Sequence, residues 1–383
     1  MTRARGQEPT ERTTPSPDPR TVLRGRWHAQ ELDRGGPLGG PGRPVDDVAV
    51  LDLGVQDTDA DGAAWALENR GARVPRGSEG EHGLALVWTL RGATHVYRRA
   101  DLPGVARATA PFSEADARSR IYAAAGPLGA AGIPALDALR TVAHLLREIV
   151  TEPMPKGEVS TRLTSKVDDP YLRWCEGCGA THLYELPFRL AALHAGLELV
   201  PGTSPPVLRP IPGWAADPFP EPPTDPDPED RLDVVVGFRR LYSGASPRHL
   251  AAFLDAPLPE VRARWSRAET AARGSAGAVD HGADRTLRLL GPFDPFLQLR
   301  DRELLVPEAA LRAEVWRTLG RPGAVLLDGE LRGLWRPRTT GRTFSVRLSA
   351  SLPRAAALRP QIEEQAVALA GHRGRSFGGL LDE

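Results

Sequence analysis

Ser246-Pro247-Arg248-His249-Leu250-Ala251-Ala252-Phe253-Leu254 reads as a short helix whose start is marked by its first two residues. Ser246 can accept a hydrogen bond from a first-turn amide. Pro247 gives up only a donor that the first turn leaves unsatisfied anyway. Residues 232–241 before it carry the pattern of one helix. Residues 258–273 after it carry that of another, through Val261 and Trp265. Helix, short capped helix, helix is the skeleton of a helix-turn-helix unit. This triplet sets the expected fold.

The same order occurs upstream. Residues 133–148 place Leu136, Leu139, Val142, Leu145 and Leu146 at helical spacing. A short helix follows at 156–163, and another through Phe188, Leu190, Leu193 and Leu197 over 181–200. Downstream, residues 324–335 form two apolar runs around Asp328-Gly329, a type I′ turn signal, so a hairpin is expected there. A third strand is expected at 343–348 and a closing helix at 358–369. Nearer the N-terminus the reading gives a helix at 22–32 with Trp27 inward, an apolar-periodic element at 48–69, and a strand at 84–97. The expected fold class is mainly α with small β-hairpins. The expected divisions are a disordered tail (1–19), a first module (20–130), a second winged-helix module (131–215), a Pro/Asp-rich linker (216–231) and a third winged-helix module (232–383), with a Gly/Pro connector at 35–44 inside the first.

The chain has 383 residues, 41% of them hydrophobic, and a formal net charge of zero. No apolar run approaches the ~18 residues of a membrane span, and residues 1–8 lack the apolar core of a signal peptide. A cytoplasmic protein with no membrane association is therefore expected. Lysine occurs only at Lys156 and Lys166, so nearly all positive charge is arginine. Arginine is the better fork for phosphates, although a GC-rich genome gives the same bias. Residues 331–361 hold Arg332, Arg336, Arg338, Arg342, Arg347, Arg354 and Arg359 with no acid among them. Such a hairpin is a candidate phosphate contact; a solvated strand face would read the same way. There is no Gly-rich phosphate loop, HExxH or GxSxG motif, so no nucleotide cofactor is expected.

Two stretches carry candidate chemistry. Leu53-Gly54-Val55-Gln56-Asp57-Thr58 sets three polar groups before a helix-like run from Ala63 to Arg70. Such groups can hold and polarise a water. Trp88-Thr89-Leu90-Arg91-Gly92-Ala93-Thr94-His95-Val96-Tyr97 adds Arg91, Thr94 and His95. Asp57 or Thr58 can equally be the N-cap of that helix, and His95 a structural histidine. Cys175 and Cys178 form a lone CxxC with His182 behind it. Structural zinc takes four ligands as a rule, so a pair of structural thiols is expected, with no metal and no cofactor.

These segments, in this order, resemble the winged-helix DNA-binding family of the AlkZ and YcaQ DNA glycosylases. The matching residues are 53–58, 90–95 followed by Asp101, 289–296 and 325–335, and the resemblance spans about residues 45–375. It implies tandem winged-helix modules in a C-shaped arrangement around a channel for double-stranded DNA. It also implies hydrolysis of the bond between an N-alkylated or bulky-adduct purine and deoxyribose, for repair or self-resistance, by a monomer at the nucleoid. The family's catalytic signature is Gln, an apolar residue, then Gln or Asp. Here Gln56 keeps the first position, Asp57 takes the apolar one and Thr58 the third.

An alkylated purine is already cationic and leaves readily. The reaction then needs an oriented water and stabilisation of an oxocarbenium-like sugar. Gln56 is the expected water-orienting group, Asp57 the electrostatic or basic group, and Thr58 the second polar side chain. Arg91 and His95 are expected phosphate or structural partners. The alternative is a non-catalytic winged-helix regulator or damage sensor that binds DNA without cutting the base.

Overall fold

The computed structural model describes residues 18–34, 42–58, 62–74, 83–220, 227, 229–271, 285–349 and 357–382. Thirteen strands lie among them. They are β1 (Val55–Gln56), β2 (Leu84–Trp88), β3 (Thr94–Arg98), β4 (Met154–Pro155), β5 (Leu172–Cys175), β6 (Ala180–Leu183), β7 (Leu197–Leu199), β8 (Val207–Pro210), β9 (Leu287–Leu290), β10 (Gly323–Leu327), β11 (Glu330–Thr340), β12 (Thr343–Leu348) and β13 (Ser376–Asp382). A six-stranded sheet runs β1-β3-β2-β7-β8-β4 and a five-stranded sheet runs β13-β12-β11-β10-β9; β5 and β6 pair alone. Helices pack around both large sheets, so the architecture is mixed. The expectation of a mainly helical chain with small hairpins understates the sheets, because several strands are two to four residues long and leave no periodic signal.

The helix triplet is present as Val234–Leu241, Pro247–Leu254 and Leu258–Ala271. The His249 ring accepts a hydrogen bond from the Ser246 amide at 3.1 Å, half of a reciprocal cap. The upstream amphipathic helix is Ala135–Ile149, with Leu139, Val142 and Leu146 fully buried. Trp27 is buried on the first helix, Pro19–Ala29. Asp328 and Gly329 both have positive φ, 51° and 82°, as a type I′ turn requires.

Four expectations are corrected. Residues 84–97 form a hairpin, β2 and β3, because Leu90–Gly92 turns the chain, with Arg91 at φ 59° and Gly92 at φ 66°. Residues 181–200 are the strand β6, the helix Glu185–His194 and the strand β7. Gly196, at φ 80°, stops that helix, and a Cβ there would meet the Trp214 ring at 2.5 Å. The element at 48–69 is a 3-10 turn at Ala49–Asp52, the strand β1 and the helix Gly62–Glu68. The six-stranded sheet also crosses the expected boundary near residue 130, since β7, β8 and β4 join β1, β2 and β3. A C-terminal strand, β13, follows the helix Arg359–His372 and pairs in parallel with β12; the reading stopped at the helix. Residues 1–17, 35–41, 221–226 and 228 lie outside the described residues, and with them most of the expected tail and parts of the connector and linker.

The two large sheets are tied through the β9 segment. The Leu289 carbonyl accepts from Trp65 Nε1 at 2.7 Å and from Asn69 Nδ2 at 3.3 Å. Arg70 and Asp294 form a fully buried bidentate ion pair, both bonds at 2.9 Å. Among the described residues no helix is long and apolar enough to cross a membrane.

Candidate active site

Gln56 ends the edge strand β1, opposite His95 of β3. Successive strand residues point to opposite faces. Gln56 and Thr58 therefore share one face, and Asp57 takes the other. The contacts agree. Gln56 Nε2 donates to Thr58 Oγ1 at 3.0 Å, and Arg91 Nη2 lies 3.4 Å from Gln56 Oε1. The carboxamide is held at both ends, while the Thr58 hydroxyl keeps its own proton to donate. Asp57 Oδ1 accepts from the Ala63 amide at 2.9 Å and caps the helix Gly62–Glu68. Asp57 thus takes the capping place that the sequence offered beside its electrostatic role, with its carboxylate turned onto the helix.

Gly54 makes the approach to Gln56 possible. Its φ is 81°, and a Cβ there would meet the Tyr97 ring at 2.3 Å. Tyr97 OH reaches the Leu53 carbonyl and Thr89 Oγ1, both at 3.1 Å. Thr89 Oγ1 in turn lies 3.1 Å from His95 Nδ1, which also meets the Ala93 carbonyl at 3.0 Å. Thr89, His95 and Tyr97 thus form a buried polar floor. Burial, and then the Arg91 charge, hold the His95 pKa down at about 3, so the ring is neutral at neutral pH. With 3% of its surface exposed, it takes the structural of the two places expected for it and is out of reach of a phosphate in this structure.

Arg91 is held differently. Its Nη1 donates to the Phe253 carbonyl, and the guanidinium lies over the Phe253 ring, 5.1 Å from its centre. Phe253 belongs to the short capped helix of the triplet. Burial first, and then the Arg300 charge, lower the Arg91 pKa to about 10, which leaves it cationic at neutral pH. Arg300, Arg302 and Arg321 are lowered as well, each by burial first and then, for Arg302 and Arg321, by Arg300. Arg321 stacks over Phe293 and Arg302 over Trp316. Among the described residues no carboxylate forms an ion pair with Arg300 or Arg321, and the buried Nε of each lacks a partner. Phe293 in turn borders a narrow cleft whose other walls include Thr58, Gly62 and Ala66. A run of guanidiniums therefore extends from Gln56 to this cleft, with Asp255 acting on Arg91 and Arg300 and Asp294 at the cleft taken up by Arg70. Sequence reasoning missed Arg300, Arg302 and Arg321. For Arg300 and Arg302 the signal was their place directly after the 289–296 segment that the resemblance singled out; Arg321, 25 residues beyond Phe296, left none.

The other expected arginines lie on the five-stranded sheet. Arg336 pairs in register with Arg347 and Arg338 with Ser345. These residues occupy the face opposite Trp335, Phe344 and Val346, which are buried in a core cluster with Ile362 and Leu369 of the helix Arg359–His372. Arg338 and Arg342 are exposed; Arg336 donates to the Gly320 carbonyl. Arg332 is engaged by Glu330. Arg354 lies outside the described residues. The structure does not gather these arginines around Gln56.

A model of the AlkZ-like DNA glycosylase family matches residues 50–372. The chain belongs to that family. Streptomyces sahachiroi DNA glycosylase AlkZ has the same fold: the TM-score is 0.62 at 18% identity, covering 96% of this chain and 100% of that one. No curated protein matches the chain. Gln56 and Thr58, whose side chains meet at 3.0 Å, lie within the matched residues.

Proposed function

We propose that the protein is a DNA glycosylase that hydrolyses the N-glycosidic bond of alkylated or bulky-adduct purines in duplex DNA, in repair or in self-resistance. The observation that carries this reading is the Gln56–Thr58 pair on one face of the site, hydrogen-bonded at 3.0 Å and set by Arg91. Two oxygens, Gln56 Oε1 and Thr58 Oγ1, can accept from one water and aim its lone pair at the anomeric carbon. The leaving purine carries its own positive charge, so no strong general acid is needed. The developing sugar cation is stabilised by negative charge, and the chain brings that charge with the substrate: Arg91, Arg300 and Arg321 would hold the DNA phosphates beside the sugar. The helix triplets would serve as winged-helix units along a concave channel, with the Arg336–Arg338 face as a second backbone grip. A protein of this kind works as a monomer on the nucleoid, in the cytoplasm.

The test is release of free base from a duplex holding an N7-alkylguanine. Gln56→Ala should slow release more than about tenfold, within the range that oriented water and general-base help supply, at unchanged DNA affinity. Tight DNA binding with no release from any alkylated purine would instead support the damage-sensing reading.

A further inference from the structure

We propose that Cys175, Cys178 and His182 form a zinc site on the β5–β6 hairpin, with a fourth coordination position open to solvent. The two thiols and the imidazole are the only group of three metal-ligand side chains gathered among the described residues, and their ligand atoms lie within 4.8 Å of one another. A tetrahedral zinc with Zn–S bonds of about 2.3 Å needs its sulfurs roughly 3.7 Å apart. Rotation of exposed side chains closes that gap. Cys175 is half-buried and Cys178 exposed, so neither is locked elsewhere.

The backbone is already shaped for a metal. The amides of Cys178 and Gly179 donate to the Cys175 carbonyl at 3.2 and 2.9 Å, and Gly179 takes φ 61°. The third ligand is prepared independently. His182 Nδ1 lies 2.7 Å from the Leu183 carbonyl. A carbonyl only accepts, so Nδ1 carries the proton and Nε2 keeps its lone pair for the metal. In the strand register Cys175 opposes Ala180, which puts His182 on the same face as Cys175.

The ligand chemistry selects the ion. Two thiolates and an imidazole in a tetrahedral set favour zinc over hard cations. Glu185 is not available as the fourth ligand, being held by Lys156 at 2.7 Å and by Arg189. Water, or an incoming ligand, would complete the sphere. The hairpin also needs a clasp. It pairs with neither large sheet, a two-stranded ribbon is marginal alone, and its Trp174 is 57% exposed. Zinc would fix the turn and with it the outward Arg173 and Trp174.

The proposal does not depend on glycosylase activity, and neither does its test. Protein purified without chelators should carry about one zinc per chain by elemental analysis. Reduced, metal-free protein should bind cobalt(II) with a thiolate-to-cobalt charge-transfer band and the intense d–d bands of four-coordination. Cys178→Ser should weaken cobalt binding more than tenfold and His182→Asn should alter the d–d bands, in variants with the circular dichroism of the parent. Reduced wild-type protein that retains no zinc and gives no charge-transfer band with equimolar cobalt overturns the site. Cobalt spectra identical with and without His182 overturn the three-ligand set.

Discussion

Gln56 has little freedom: Thr58 holds its nitrogen and Arg91 its oxygen. If Thr58 stands in for the family's second polar side chain, the hydroxyl is the group that matters. Thr58→Val keeps the shape and should slow base release about tenfold or more, whereas Thr58→Ser should stay close to the parent; single-turnover rates at saturating protein check this. The neutral histidines make a separate prediction. His95 and His194 both have folded pKa values held to about 3, by burial first. The unfolded chain binds those protons near pH 6.5 and the folded chain does not. Stability from this source is therefore complete above pH 6.5 and falls as pH drops toward 3, by about 1.4 kcal/mol per pH unit for each ring. Chemical denaturation between pH 7 and 5 should show the decline, and His194→Gln, if folded, should roughly halve it. At this scale the sequence was informative about residue type and less so about direction. Gln56 and Thr58 were legible as a polar pair. That Asp57 points away, and that Gly54 clears space for Tyr97, depends on strand alternation and a left-handed turn that only the fold reveals.

At the scale of elements, the helix Gly62–Glu68 is seven residues long and relies on its cap. Asp57→Ala should cost about 1 kcal/mol and also slow catalysis by loosening the Thr58 segment. Asp57→Asn keeps a capping oxygen, so it should cost only a few tenths of that and leave base release within about threefold. A large loss in Asp57→Asn, with unchanged melting temperature, would restore the carboxylate to a direct chemical role. Long or well-punctuated elements were readable: Ala135–Ile149 from its period, Pro247–Leu254 from its cap, the β10–β11 hairpin from Asp328-Gly329. The β2–β3 hairpin was not, because Trp88 to Tyr97 is apolar enough to pass for one strand and Arg91 sits at positive φ where glycine or asparagine is usual. Strand β13 was hidden for a related reason: its Phe377, Leu380 and Leu381 are only partly buried and show no clean alternation.

For the whole molecule, two kinds of positive surface are expected to act differently. Arg338→Ala with Arg342→Ala removes exposed charges, so it should reduce the salt dependence of duplex binding by a slope of about 1.8 on a log–log plot and leave single-turnover release nearly unchanged. Arg300→Ala removes a half-buried charge beside the site and should slow release as well as weaken binding. Fluorescence anisotropy over a salt series, with release rates in parallel, separates the two. The modular division was only partly legible. The joining of β7 and β8 to β2 is a long-range pairing with no local trace in the sequence.

The Arg70–Asp294 pair has a further consequence for how the protein is made. Its partners stand 224 residues apart in the chain. At a synthesis rate of about 5–20 residues per second, Arg70 waits roughly 10 to 45 seconds for its carboxylate. Until then the helix Gly62–Glu68 has neither this anchor nor the Leu289 carbonyl that receives Trp65. A nascent or truncated chain ending before Asp294 is thus expected to leave a guanidinium without its counter-charge in an apolar setting, and to stay open to protease at residues 62–70. The Gln56–Thr58 site thus gains its full support only once the chain some 224 residues beyond Arg70 has been made.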